Sequence, residues 1–290
     1  MEFVMLAKLV KLITTPLDFI TRYFKALVLI LIVLFVFMSK ESTHTPQPNL
    51  AKIYLYGPIF ESETLRAQIK QVLANPSIKG VLLLIDSPGG SISASVELND
   101  MIAELRQKLP VVAYVQGVMA SGSYYAGMVA NAIYANRGAL VGSIGVIFSS
   151  VNIQALMDKL GIKAQGLAKG AYKEVGTFTR AWTDKEKQYL QHLLDQEYQM
   201  FVGDVAKARK LDPKHAPDFA EGKIFNAKEA LDLHLIDHIG TYNQAIKALQ
   251  AMAHVKDPLW LQKDRLDRLL DKLLQSTTQI VGRYLGVGLH

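Results

Sequence analysis

Val118-Met119-Ala120-Ser121-Gly122-Ser123-Tyr124-Tyr125-Ala126-Gly127 is the stretch on which the fold turns. It follows the apolar run Val111 to Val115 and leads into small and apolar residues, the pattern of a strand that feeds through a tight turn into a helix. Such a turn sets Ser121 in the helix's first turn, where backbone N–H groups without intrahelical partners stabilise a developing negative charge. That is a position for a nucleophile. Upstream, Val81 to Ile85 runs into Asp86-Ser87-Pro88-Gly89-Gly90, a second strand-to-helix junction whose paired glycines let backbone amides approach a ligand closely. Together the two junctions predict an oxyanion hole facing a serine.

Around them the chain alternates. A strand at Lys52 to Tyr56 precedes a helix at Glu63 to Leu73, where Leu65, Ile69, Val72 and Leu73 recur at helical spacing and Pro76 closes the element. The strand Val81 to Ile85, a helix over Ala94 to Leu109 and the strand Val111 to Val115 follow, predicting βαβ units and a mostly parallel sheet. Beyond the serine we expect strands at Ala132 to Ala135, Gly142 to Val146 and Ile162 to Gly166, and a helix at Asn152 to Leu160. Ala168 to Arg180 reads as a loop containing Lys173. The capping box Thr183-Asp184-Lys185-Glu186 opens a long helix to about Lys210, and Asn226-Ala227-Lys228-Glu229 caps a shorter one ending before Gly240.

With 290 residues, half of them apolar, the chain can bury a real core. Its net charge of +6 is spread out rather than gathered into a basic stripe with aromatics, which argues against a nucleic-acid partner and for contact with membrane lipid. The absence of cysteine excludes disulfides, thiolate zinc sites and a thiol nucleophile. Lys8, Lys11, Arg22 and Lys25 precede the uncharged run Ala26 to Met38, which as a helix spans roughly 20 Å against a hydrocarbon layer of roughly 30 Å. That length suits a signal-peptide core. The exit Phe37-Met38-Ser39-Lys40 offers no small-x-small cleavage site, however, and Tyr23 and Phe24 extend the span while Lys25 snorkels. The segment therefore reads as an uncleaved signal anchor at 26–39 behind a cytoplasmic arm at 1–25, with everything after Lys40 extracytoplasmic. Residues 40–51, with Pro46 and Pro48, read as a linker. In the tail at 256–290, Leu266, Leu269, Leu270, Leu273 and Leu274 oppose Lys263, Arg265, Asp267 and Arg268. This is an amphipathic helix that packs on its own domain or a neighbouring subunit, or lies on the membrane.

A serine hydroxyl needs a base. None of the seven histidines stands at a strand end or glycine turn, and neither the elbow of α/β-hydrolases nor the S-x-x-K pair is present. His234 and His238 stand four apart on a predicted helix, yet no Glu beside His234 completes a zinc motif, so no metal is expected. Lys173 remains, in Lys169-Gly170-Ala171-Tyr172-Lys173-Glu174-Val175-Gly176-Thr177. Burial against apolar walls makes a lysine a usable base, although the loop alone better suits a solvated surface lysine.

Four ordered motifs resemble the signal peptide peptidase A family of membrane-bound serine proteases in its short form. They are Asp86-Ser87-Pro88-Gly89-Gly90, Met119-Ala120-Ser121-Gly122-Ser123-Tyr124-Tyr125, Gly142-Ser143-Ile144-Gly145-Val146 and Tyr172-Lys173-Glu174. The resemblance covers about Ile53 to Gly240. It implies an α/β fold of the ClpP/crotonase type preceded by a transmembrane helix, with residues 52–255 as the catalytic domain in the cell inner membrane's outer compartment. It implies Ser121 as nucleophile, Lys173 as general base, and the N–H groups of Gly90 and Gly122 as the oxyanion hole, with no cofactor. It further implies a homo-oligomer acting on signal-peptide remnants. Ser123, where many relatives have glycine, departs from the pattern; its hydroxyl either bonds the lysine or does nothing. A crotonase-type acyl-CoA enzyme and a non-catalytic tethered scaffold are the alternatives on the same fold.

Overall fold

A computed structural model describes residues 22–26, 28–33 and 47–262. Met1–Gln47 and Pro48–His290 form separate compact units. In the first, residues 22–26 and 28–33 are helical and exposed. No helix among the described residues is long and apolar enough to cross a membrane. The predicted arm and anchor lie largely outside the described residues, and the tail helix lies outside them beyond Gln262.

The second unit is built on β1 (Leu50–Tyr56), α1 (Glu63–Leu73), β2 (Gly80–Ser87), α2 (Ile92–Lys108) and β3 (Val111–Ala120). There follow α3 (Gly122–Gly127), β4 (Ala132–Ala135), β5 (Leu140–Gly142), α4 (Gln154–Lys159) and α5 (Asp184–Arg209). The unit continues with α6 (Ala216–Phe219), β6 (Ile224–Asn226), α7 (Ala227–Asp232), β7 (His238–Ile239) and α8 (Tyr242–Met252). The sheet order is β1-β2-β3-β4-β7, with β5 on the far end of β3 and β6 beside β5. Every pairing is parallel except β5 with β6. This is the expected α/β architecture with a mostly parallel sheet.

Strand β2 is buried on both faces over Gly80 to Ile85, as a central parallel strand must be. Val81, Leu83 and Ile85 point into the larger core with Leu65, Ile69 and Val72 of α1 and Leu98, Ile102 and Leu105 of α2, each buried side chain contributing about 1.5–3 kcal/mol. Leu82 and Leu84 point the other way, to Leu249 and Ala253 at α8. At the edge, the Leu259 carbonyl accepts from the N–H groups of Asn49 (2.8 Å) and Leu50 (3.1 Å), and the Leu261 N–H donates to the Leu50 carbonyl (2.7 Å).

Between Ile85 and Ser87 the register of β2 against β3 shifts. Ile85 faces Val115 but Ser87 faces Met119, so β3 carries two extra residues there. The Asp86 carboxylate occupies the bulge and accepts the Val118 N–H at 2.9 Å. Bulges bend and twist the strand that holds them. The first half of β3 pairs with β4 and its last three residues with β5, so the bend aims the end of the strand, and with it Ser121, away from the main sheet.

Three expectations are corrected. The strand predicted at Gly142 to Val146 stops at Gly142, because Gly142 (φ 113) and Ser143 (φ 50) turn the backbone out of extended geometry. Ile162 to Gly166 is not a strand: its residues are exposed and pair with nothing in the sheet. His234 and His238 do not share a helix. His234 sits at φ 58 after the end of α7, while His238 lies in β7 with its ring 4.5 Å from that of Tyr134.

Candidate active site

Ser121 is the N-cap of α3, at φ 52 and ψ −123. A non-glycine residue there carries strain of about 1–3 kcal/mol, so its surroundings must hold it. They do so from three sides. The Ser121 N–H donates to the Gly142 carbonyl (2.8 Å), and the Ser121 carbonyl accepts from Tyr125 N–H (3.0 Å). Ser123, fully buried, accepts from Ala120 N–H (2.8 Å) and donates to the Ser87 carbonyl (2.7 Å), with the Ala120 carbonyl also in reach at 2.9 Å. The Ser123 hydroxyl therefore bonds neither a lysine nor nothing: it rivets the serine turn to the end of β2.

The third support is the turn after β2. A Cβ built on Gly89 (φ +91) would lie 2.5 Å from the Gly122 nitrogen and 2.9 Å from the Ser121 Cβ. Only glycine fits there. The Gly89 carbonyl accepts from Ile59 N–H (2.9 Å) and Ser91 N–H donates to the Ile59 carbonyl (2.7 Å), which clamps the backbone on both sides of Gly90. Among the described residues the N–H groups of Gly90 and Gly122 have no hydrogen-bond partner, that of Gly122 because it opens a helix. A Cβ on Gly122 would fall 3.2 Å from the Gly90 nitrogen, so the two amides flank one small space beside Ser121.

That space is a cavity of about 30 Å³ whose walls include Gly90, Ser95, Ser121, Gly122, Tyr125 and Phe201. Tyr125 closes it from behind. Its hydroxyl donates to the Asp204 carboxylate, its ring lies 4.9 Å from that of Phe201, and its carbonyl accepts from Asn99 Nδ2 at 2.6 Å. Burial, reinforced by Asp204, pushes the Tyr125 phenol well above its ordinary range, so it stays protonated. Sequence reasoning missed Tyr125, Ser95 and Phe201. Tyr125 stood inside the quoted motif, but nothing in the sequence brings Asp204 to it.

Lys173 lies elsewhere. It is exposed in the segment 147–182 and lines a cavity of about 830 Å³ with Glu174, Arg180, Gln154 and Lys163, which shares no residue with the cavity at Ser121. The segment is fastened at its far end. Arg180 donates to both oxygens of Glu186 (2.9 and 2.8 Å) and approaches Glu174 at 3.7 Å, while Glu186 completes the capping box with Thr183 at the start of α5. The Arg180 guanidinium first, and Thr183 N–H next, hold the Glu186 carboxyl down at about 2. Trp182 Nε1 donates to the Thr177 carbonyl (2.7 Å), and the Tyr172 ring stacks on Tyr189 at 4.6 Å. Within one chain Ser121, Gly90 and Gly122 line one cavity and Lys173 lines another.

Comparison with known proteins bears on this arrangement. The chain matches peptidase family S49 over residues 103–256. A protein of Methanocaldococcus jannaschii provisionally named a protease is 41% identical over 182 residues, covering 63% of this chain and 58% of its own length. One from Synechocystis, also provisionally named a protease, is 34% identical over 221 residues, covering 76% of this chain and 79% of its own length. A protein of Enterococcus faecium provisionally named a signal peptide peptidase is 30% identical over 199 residues, covering 68% of this chain and 58% of its own length. The four motifs resemble the signal peptide peptidase A family, the matched region includes Ser121 and Lys173, and the chain belongs to peptidase family S49 of signal peptide peptidase A-type proteases.

Proposed function

We propose that this protein is a membrane-anchored serine endopeptidase of the ClpP/crotonase type that cleaves apolar peptides such as signal-peptide remnants through an acyl-enzyme. The observation that carries the reading is the strained Ser121 set beside two unpartnered amides, Gly90 and Gly122. The Lys173 amine takes the Ser121 hydroxyl proton as Oγ attacks a peptide carbonyl. The resulting oxyanion accepts from both N–H groups, each such donor being worth about 2.7–4 kcal/mol. Lys173 returns the proton to the departing amine, then deprotonates the water that releases the acyl group.

Lys173 comes from a neighbouring copy. Two observations support this: it lines a separate cavity from Ser121, and its segment exposes Ile147, Val151, Leu160 and Leu167 at 86%, 71%, 65% and 106%. Apolar exposure on that scale marks a surface made to be covered. The homo-oligomer thereby assembles its sites between subunits. Anchoring rests on the run Ala26 to Met38 and the basic arm before it, which set the catalytic unit outside the cytoplasm of the cell inner membrane. Membrane lipid, peptide substrates and further copies are the partners, and the chemistry needs no cofactor.

The test is labelling of the detergent-solubilised full chain with a fluorophosphonate, followed by incubation with apolar peptides. Label on Ser121 and cleavage that Ser121→Ala lowers by at least about 10⁴-fold are expected. Cleavage that survives Ser121→Ala overturns the reading.

A further inference from the structure

Between α1 and α2 the surface holds an apolar groove that nothing among the described residues fills. We propose that the tail, residues 263–274, folds back as an amphipathic helix into this groove of its own chain. The inference stands apart from the reading of Ser121.

The groove measures about 480 Å³, with Ile69 and Leu105 buried in its floor and Leu73, 42% exposed, on its α1 wall. Arg66 and Lys70 stand on the α1 side, Glu104 and Lys108 on the α2 side. Arg66 is paired with Glu63 and Glu97, whereas Lys70, Glu104 and Lys108 have no ion pair among the described residues. The chain is led to this side of the sheet. Asn49 Oδ1 accepts the Leu259 N–H (2.8 Å) and Asn49 Nδ2 donates to the Asp257 carbonyl (2.9 Å), which holds the returning segment to the edge of β1. Leu261, bonded to the Leu50 carbonyl, packs against the core that α1 covers with Leu65, Ile69 and Val72. One residue later the described course stops, at Gln262.

The tail matches the groove in length and in charge. As a helix, 263–274 spans about 18 Å against about 16 Å for α1. Along one flank of the stripe made by Leu266, Leu269, Leu270, Leu273 and Leu274 run Asp264, Asp267 and Asp271, and along the other run Arg265, Arg268 and Lys272. With the leucines inward, the acidic row meets Arg66 and Lys70 while the basic row meets Glu104. The parallel crossovers β1-α1-β2 and β2-α2-β3 are right-handed, so this match requires the tail to run antiparallel to α1, which brings Leu266 to Leu73 at the end of that helix. A lipid surface suits the tail less. Four basic and three acidic side chains in 263–274 leave little net charge to draw it to anionic headgroups.

The experiment uses the full chain in vesicles of phosphatidylethanolamine and phosphatidylglycerol. Because the chain has no cysteine, Leu73→Cys with Leu266→Cys supplies the only two thiols. A short bismaleimide is expected to join them within one chain at least about tenfold faster than it joins Lys247→Cys, on exposed α8, to Leu266→Cys. Reversing the acidic row with Asp264→Lys, Asp267→Lys and Asp271→Lys slows the linking at least about fivefold, and adding Lys70→Glu recovers at least about twofold of that loss. Linking between two chains, seen as a doubled mass in denaturing electrophoresis, hands the groove to a neighbouring copy's tail and overturns the proposal. Equal rates from Leu73→Cys and Lys247→Cys overturn it in favour of a tail lying on lipid. A reversed row that Lys70→Glu does not rescue overturns it as well.

Discussion

The surroundings of Ser121 and the segment that carries Lys173 follow opposite rules. Around Ser121 every support is internal: Gly89, Ser123 and Tyr125 are tied to β2, α2 and α5 by hydrogen bonds and close packing. The segment 147–182 has one short helix and no strand, is fastened to the body chiefly at the start of α5, and turns large apolar side chains outward. On the function proposed above, nucleophile and oxyanion hole are finished by folding, whereas the base is finished by assembly. The strain at Ser121 is affordable only because the core around it cannot relax.

The largest way to break this contrast is at Gly89. Gly89→Ala pushes a methyl onto the Gly122 nitrogen at a backbone angle alanine avoids, displacing the hole, and is expected to lower kcat/KM by about 10²–10³-fold at unchanged peptide affinity. Steady-state kinetics with an apolar peptide checks it; a loss in KM alone counts against the hole.

A matched pair sharpens the contrast. Ser123→Ala leaves the Ala120 N–H and Ser87 carbonyl unpaired in a buried place and is expected to cost about 1–3 kcal/mol in urea unfolding. Leu167→Glu, on the outward segment, changes that unfolding by less than about 0.5 kcal/mol yet shifts the protein toward smaller assemblies in sedimentation. Equal effects of the two on unfolding would erase the distinction between the regions.

The smallest effect is acidic. Glu186 has its carboxyl lowered from 4.5 to about 2, so its bond to Arg180 contributes above pH 4.5 and is lost as pH falls toward 2. Over that window the fluorescence of Trp182, beside the fastening, is expected to change in a Trp260→Phe background, and Glu186→Gln should abolish the transition.

The sequence carried most of the scaffold and the turn that holds Ser121. The helix Glu63–Leu73, the strand Ala132–Ala135 and both capping boxes appear where apolar spacing and local hydrogen bonding set them. Those signals are local. Ile162 to Gly166 alternates like a strand, but alternation makes a strand only where a partner edge exists, and that segment lies away from the sheet. The helix Tyr242–Met252 was not expected, although Thr241 and Gln244 form a capping box that announces it. Its buried face is small, Ala245 and Leu249, and easily overlooked. The serine turn was legible because strand, serine and glycines are contiguous. The contact of Tyr125 with Asp204 joins α3 to α5 across 79 residues of sequence, and on the function proposed above Lys173 works outside a single chain, so neither has a local trace.

The most direct test of assembly-completed catalysis is to mix, dissociate and reassemble two inactive full-length proteins, Ser121→Ala and Lys173→Ala, and measure peptide cleavage. If base and nucleophile come from different copies, the mixture recovers activity, to about a quarter of the parent's sites when the copies mix at random in equal amounts. If it remains as inactive as either component while parent protein carried through the same cycle regains its activity, the two residues act within one chain and the account is wrong.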